Sequence, residues 1–181
     1  MLSTEANRRA FFLDRDGVLN GITVDAAGVP HPPASADVCE ILPGVSEACE
    51  ILRAAGYLLI CVTNQPDVAR GAASVSQIER INDFLKQSLR LDALYVCWHD
   101  NADRCDCRKP LPGLLNQAAS EYKIRLSASF MIGDRWSDVA AGTAAGCGTF
   151  LIPASYSKAE KCSPDWVVPS LLEAAKIVAN R

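Results

Sequence analysis

Two aspartates, Asp14 and Asp16, stand one residue apart just beyond the apolar run "FFL". Carboxylates that close raise each other's proton affinity and destabilise a fold unless a cation offsets them. The alternative is an ordinary polar turn, and three further sets of residues weigh against it. Thr63-Asn64 follows "YLLICV", Arg108-Lys109 lies beyond "LYVCW", and Asp134, with Asp138 shortly after, follows "FMIG". Asp14, Asp16 and Asp134 offer hard oxygen ligands of the kind that suit Mg²⁺, an ion that keeps several waters and often binds substrate phosphate as well. Lys109 adds a positive point charge, and Thr63 and Asn64 add neutral donors. Such a set can cradle a phosphoryl group, whose transfer depends on positioning and charge neutralisation.

A second cluster is chemically distinct. Of the eight cysteines, Cys97, Cys105 and Cys107 fall beside His99 in "CWHDNADRCDC". Three thiolates and an imidazole make a closed tetrahedral zinc site, which leaves no open position for substrate and so points to a structural role. Lys109 lies two residues beyond Cys107, so zinc would pin the loop that aims this lysine. The plainer reading is a loop of reduced, unbound thiols. Cys39, Cys49, Cys61, Cys147 and Cys162 are scattered and read as small buried hydrophobes.

Placing these groups requires strands that end where they stand. The sequence predicts strands over 11–14, 57–62, 91–98, 129–134 and 149–152. Between and after them, helices are predicted over 43–56, 74–90, 112–124, 138–146 and 169–179. Pro43 and Gly56 punctuate the first helix, and Ile78, Ile81, Leu85 and Leu89 line one side of the second. Alternating strands and helices imply βαβ units and a mainly parallel sheet covered on both faces, a Rossmann-like α/β three-layer sandwich. Open sheets of this kind bind ligands at the carboxyl ends of their strands, where the four polar sets fall. The expected organisation is one domain over residues 1–181, with no large cap. Two loops would shape the pocket instead: a flap over 20–42 and the zinc-binding insertion over 97–109.

Composition limits the partners. A net charge of −3 argues against a broad nucleic-acid surface, and no apolar run approaches the roughly 20 residues of a membrane span. The opening "MLSTEANRRA" has no apolar core of a leader, so a cytoplasmic monomer is expected.

The four sets "LDRDGVLN", "VTNQ", the lysine of "CRKP" and "GDRWSD" together resemble the motifs of the haloacid dehalogenase superfamily, in order and over most of the chain. The resemblance implies that Asp14 attacks phosphorus and becomes an aspartyl-phosphate. Asp16 would protonate the leaving oxygen and then activate water, its main-chain carbonyl helping to hold Mg²⁺. Thr63 and Lys109 would bind phosphoryl oxygens, Asp134 would ligate Mg²⁺, and Asp138 would support the ion from behind or through water. The cysteine insert is similar to that of the zinc-containing branch of D-glycero-D-manno-heptose-1,7-bisphosphate and histidinol-phosphate phosphatases. "VTNQPDVARG" looks like the former, and the five-residue spacer between the two ligand pairs looks like the latter. The expected activity is Mg²⁺-dependent phosphomonoester hydrolysis on a small phosphorylated metabolite. Heptose 1,7-bisphosphate, at the 7-position, comes first and histidinol phosphate second. Arg70 and Arg108 would suit a second phosphate, with Asn64 beside them as a substrate-binding group. A rival of another class is a zinc-stabilised binding module without catalysis.

Overall fold

The computed structural model describes residues 8–157 and 162–180. In chain order the elements are β1 (Arg9–Leu13), β2 (Thr23–Val24), β3 (Pro30–His31), α1 (Val45–Ala54), β4 (Tyr57–Asn64), α2 (Val75–Ser88) and β5 (Ala93–Cys97). After them come α3 (Gly113–Tyr122), β6 (Phe130–Gly133), α4 (Trp136–Ala145), β7 (Gly148–Leu151), β8 (Trp166–Val167) and α5 (Leu171–Ala179). Six strands form one sheet in the order β5-β4-β1-β6-β7-β8. Every pairing within it is parallel.

Strand alternation divides the core in two, as the period of two requires. Phe11, Leu13, Leu59, Cys61, Ile132 and Phe150 face a layer supplied by α1, α2 and α5, through side chains such as Leu52, Leu85 and Ala175. Ala10, Phe12, Leu58, Ile60, Val62 and Met131 face the opposite layer, where α3 and α4 contribute Leu115, Ala118 and Ala141. The Rossmann-like three-layer sandwich follows, and no large cap covers it. Helix α2 starts cleanly because Ser74 accepts from the Gln77 main chain while Gln77 reaches back to the Ser74 main chain.

Three details differ from the sequence expectation. Strand β4 runs two residues beyond 62, because Thr63 and Asn64 pair in register with Val96 and Cys97 of β5. Helix α4 begins at Trp136 rather than 138. The sheet gains β8, only two residues long, whose Trp166 stacks on Phe150 at 4.7 Å between ring centroids. Residues 20–42 hold their own short hairpin, β2 against β3, with Thr23 opposite His31. Among the described residues, no helix is long and apolar enough to cross a membrane.

Candidate active site

β1 sits at the centre of the sheet, so the residue after it enters the crevice at the carboxyl edge. That residue is Asp14, buried to 8% exposure. Lys109 reaches it from the loop after β5: its Nζ lies 2.7 Å from Asp14 Oδ1, 2.8 Å from the Val62 carbonyl and 2.6 Å from Asp138 Oδ1. Burial by itself would lower the Lys109 pKa, but Asp138 and Asp14 together raise it, so the ammonium is firmly held. Asn64 fixes the same lysine by its main chain. Its Nδ2 donates to the Lys109 carbonyl at 3.0 Å, and its Oδ1 accepts from the Lys109 N–H at 3.1 Å. The amide of Asn64 thus places Lys109, and Asn64 also stands in the wall of the crevice.

The carboxylates of Asp14, Asp134 and Asp138 come within 4.8 Å of one another. Burial pushes Asp14 up to about 7, with Asp138 and Asp134 adding to the rise against Lys109. Burial likewise pushes Asp134 up to about 6, with Asp138 adding. Asp138 is neutralised by Lys109 and also accepts from the Arg135 N–H at 3.0 Å, which ties it to the start of α4. Asp134 has weaker support, Arg135 Nε lying 3.9 Å from its Oδ1. Both its side-chain oxygens are buried without a well-formed hydrogen bond, the Tyr156 hydroxyl being a polar neighbour close by. A buried carboxylate left in that state is costly and asks for a cation. Hard oxygen donors crowded at this spacing fit Mg²⁺.

Two glycines keep the space open. A Cβ on Gly17, whose φ is +85°, would lie 2.6 Å from Asp134 Oδ2 and 2.4 Å from the Tyr156 hydroxyl. A Cβ on Gly133 would lie 2.1 Å from that of Asp138.

Asp16 has a separate set of partners. Arg15 Nε and Nη2 bracket both of its oxygens at 2.8–3.2 Å, Asn20 Nδ2 donates to Oδ1 at 3.0 Å, and Gln65 Nε2 donates to Oδ2 at 2.8 Å. Gln65 also donates to Thr63 Oγ1 at 2.9 Å, linking Asp16 to the end of β4. All of these converge on a crevice of about 590 Å³, with Asp14, Asp16, Thr63 and Lys109 in its wall. Ile22, Val29, Pro30 and Pro32 from the flap line it, as do Arg70, Arg108, Arg135 and Tyr156. The two arginines expected to bind a second phosphate differ. Arg70 spends its fork on Asp100, at 2.8 and 2.7 Å. Arg108 donates through Nε to Asn101 at 2.8 Å and through Nη1 to the His99 carbonyl at 3.2 Å. Arg15, Asn20, Gln65 and Tyr156 were not singled out by sequence. Arg15 and Asn20 lie within "LDRDGVLN" and Gln65 ends "VTNQ", so these three carried a signal and Tyr156 none.

The thiol cluster forms as its spacing requires. Cys97 Sγ lies 3.7 Å from Cys105 Sγ and 3.7 Å from His99 Nδ1, Cys107 Sγ lies 3.5 Å from Cys105 Sγ, and His99 Nδ1 lies 3.3 Å from Cys107 Sγ. Zinc–sulfur bonds of about 2.3 Å and zinc–nitrogen bonds of about 2.0–2.1 Å in a tetrahedron require separations of roughly 3.7 Å between sulfurs and roughly 3.5 Å from sulfur to nitrogen. The four donors fit zinc closely.

Known proteins agree with this geometry. The family model described as "HAD-hyrolase-like" matches residues 106–174. The chain is 35% identical over 187 residues to the D-glycero-beta-D-manno-heptose-1,7-bisphosphate 7-phosphatase of Yersinia pestis, covering 95% of this chain and 96% of that protein. It is 38% identical over 140 residues to the protein of the same name from Helicobacter pylori strain J99, covering 74% and 76%. Among solved structures, the D,D-heptose 1.7-bisphosphate phosphatase from B. bronchiseptica, complexed with magnesium and phosphate, superposes with a TM-score of 0.81 at 30% identity, over 95% of this chain and 98% of that one. Sequence, sheet order and carboxylate crevice thus converge, and this chain is a phosphatase that belongs to the haloacid dehalogenase superfamily, in the branch of the heptose-bisphosphate phosphatases.

Proposed function

We propose that the protein is a Mg²⁺-dependent phosphomonoester hydrolase that removes the 7-phosphate of D-glycero-D-manno-heptose 1,7-bisphosphate through an aspartyl-phosphate at Asp14. The observation that carries the chemistry is Asp14 on the crevice wall with Lys109 on one of its oxygens and the buried, weakly partnered carboxylate of Asp134 beside it. The names of the relatives support the substrate.

Lys109 takes Asp14 Oδ1, which leaves Oδ2 to attack phosphorus in line. The ester P–O bond breaks, and Asp16 gives its proton to the departing alkoxide. Water then attacks the aspartyl-phosphate, Asp16 takes the water's proton, and the bond to Asp14 breaks to release phosphate. Thr63 and Lys109 bind the phosphoryl oxygens, and Asp138 keeps Lys109 charged and in place. Asp14 and Asp134, with the Asp16 carbonyl, would hold Mg²⁺, which supplies charge neutralisation for the phosphoryl oxygens when bound. Cys97, His99, Cys105 and Cys107 would hold a structural Zn²⁺ that steadies the segment leading to Lys109. We read the protein as a cytoplasmic monomer of one domain, working on a small soluble metabolite.

The test is phosphate release from heptose 1,7-bisphosphate and from histidinol phosphate in Mg²⁺, compared as kcat/KM. The bisphosphate should exceed histidinol phosphate by about 10⁴-fold or more, the scale at which a site built for one polar group rejects a substrate lacking it. A preference for histidinol phosphate would overturn the substrate, and no Mg²⁺-dependent release from any phosphate ester would overturn the reaction.

A further inference from the structure

Among the described residues, Arg15 is the largest side chain with essentially no exposure, at 0%. A guanidinium removed from water is tolerated only if nearly every donor is satisfied. Two partners do this. The fork formed by Nε and Nη2 grips Asp16, and Nη1 donates to Asn82 Oδ1 at 2.9 Å. Asn82 is itself out of place by pattern. It sits on α2 between Ile81 and Leu85, on the buried side that Ile78 begins, and is 6% exposed. An apolar residue would suit that stripe better. Its side-chain oxygen instead meets a guanidinium 67 positions away in sequence.

We propose that Arg15 and Asn82 are positioning residues for the acid/base Asp16, with α2 acting through Asn82 to set the angle of the Arg15 fork and so the plane of the Asp16 carboxylate. The inference rests on the phosphatase reading above, in which Asp16 moves the proton of the leaving oxygen. A planar fork on both oxygens defines orientation more tightly than a single point charge could. Asn20 and Gln65 each donate to one of the oxygens, so the ionised carboxylate has one preferred pose, and the proton it takes up displaces one of these two amides. When Asn82 is lost, Nη1 is left buried without its acceptor, the fork can rotate, and the proton on Asp16 is no longer aimed at the leaving oxygen. Neither Arg15 nor Asn82 lines the crevice, so neither is assigned contact with the substrate.

The experiment exploits leaving groups. An alkyl phosphate such as a sugar phosphate needs a proton on its departing oxygen, whereas 4-nitrophenolate leaves without one. In Asn82→Leu, kcat/KM, which reports transfer to Asp14 and not the later hydrolysis common to both esters, should fall about 10-fold or more for the sugar phosphate and by less than 3-fold for 4-nitrophenyl phosphate. Asn82→Asp, which keeps an acceptor for Nη1, should restore most of the loss. In an Asp16→Asn background, Asn82→Leu should lower sugar-phosphate turnover no further. Equal losses on the two substrates, no loss on either, or full additivity with Asp16→Asn would each overturn the positioning role. Should Asn82→Leu fail to fold, Asn82→Asp and Asn82→Ser, compared by the ratio of the two turnovers, decide the matter by the same criterion. Wild-type protein that hydrolyses neither ester in Mg²⁺ would overturn the phosphatase reading itself, an outcome seen before any variant is made.

Discussion

Among the described residues, two clusters of side chains could hold a metal ion, and they are built on opposite principles. The thiol cluster of Cys97, His99, Cys105 and Cys107 is complete: four donors, tetrahedral spacings, no oxygen to spare. The carboxylate cluster of Asp14, Asp134 and Asp138 is unfinished: it holds one lysine against three acids, and Asp134 has neither oxygen well bonded. A saturated site stores its free energy in the fold, and an unsaturated one leaves it available to a ligand or a transition state. Cys107-Arg108-Lys109 joins the two in sequence, so under the proposed function a filled thiol site would help to aim Lys109.

The strongest way to break this contrast is Asp14→Asn. Loss of the nucleophile should lower kcat on the order of 10⁴-fold or more. Zinc bound per chain, measured by elemental analysis of the purified protein, should stay at that of the unaltered chain. Residual turnover within 10-fold of the unaltered protein would remove Asp14 from the chemistry.

Next in size is the thiol loop. Cys107→Ser should abolish stoichiometric zinc and lower kcat/KM by about 10–100-fold, the range seen when groups that orient a site from outside it are lost. The effect should appear in kcat, because Lys109 steadies the attacking carboxylate. A zinc-free variant with undiminished turnover would mean that the two hydrogen bonds from Asn64 place Lys109 unaided.

A third comparison separates the two arginines on the rim. Arg108→Ala should raise KM for a bisphosphate about 10-fold and leave a monophosphate nearly unaffected, since a guanidinium–phosphate pair is lost in one case only. Arg70 is already paired with Asp100, and that carboxylate is held down to about 2 by the Arg70 hydrogen bonds. Arg70→Ala and Asp100→Asn should therefore resemble each other, with small and equal effects on both substrates. A selective effect of Arg70→Ala on the bisphosphate would return Arg70 to the substrate-binding set.

How far all this could be read from sequence depends on whether a residue's role is local. Asp14 and Asp134 were legible because a run of apolar residues ends just before each, and parallel strands deliver such ends to one edge. The thiol ligands were legible because the four lie within eleven residues, Cys97 to Cys107. Asn64 was legible as a polar strand end but not as the brace of Lys109, because its partner lies 45 residues on. Asn82 looked like one polar residue in an amphipathic helix, and only the tertiary fold brings it to Arg15. Strand β8 was missed because two residues carry no periodicity, and its place is decided by Trp166 on Phe150. Tyr156 reaches the crevice from a loop whose sequence has no pattern, its ring 6.0 Å from the Arg135 guanidinium carbon.

The smallest expected effect bears most directly on the unfinished site. Burial raises the Asp134 pKa from 3.8 to about 6, so the folded protein binds this proton more tightly than the unfolded chain does. The stabilisation from that proton is complete below about pH 4 and is lost as pH rises through about 6. A rise of this size corresponds to about 3 kcal/mol by pH 8. Mg²⁺ bound to the ionised carboxylate should offset it, so added Mg²⁺ should raise Tm at pH 8 and do little at pH 4.5. Asp134→Asn removes the ionisable group while leaving two amide donors in a poorly partnered place, so part of the gain is cancelled. The net result in chelator should be a Tm roughly 2–4 °C above the unaltered protein at pH 8, no difference at pH 4.5, and no response to Mg²⁺ at either pH. A variant less stable than the unaltered protein in chelator at pH 8 would mean that Asp134 is already satisfied without an ion, and the distinction between a finished and an unfinished centre would then fail at the residue on which it chiefly rests.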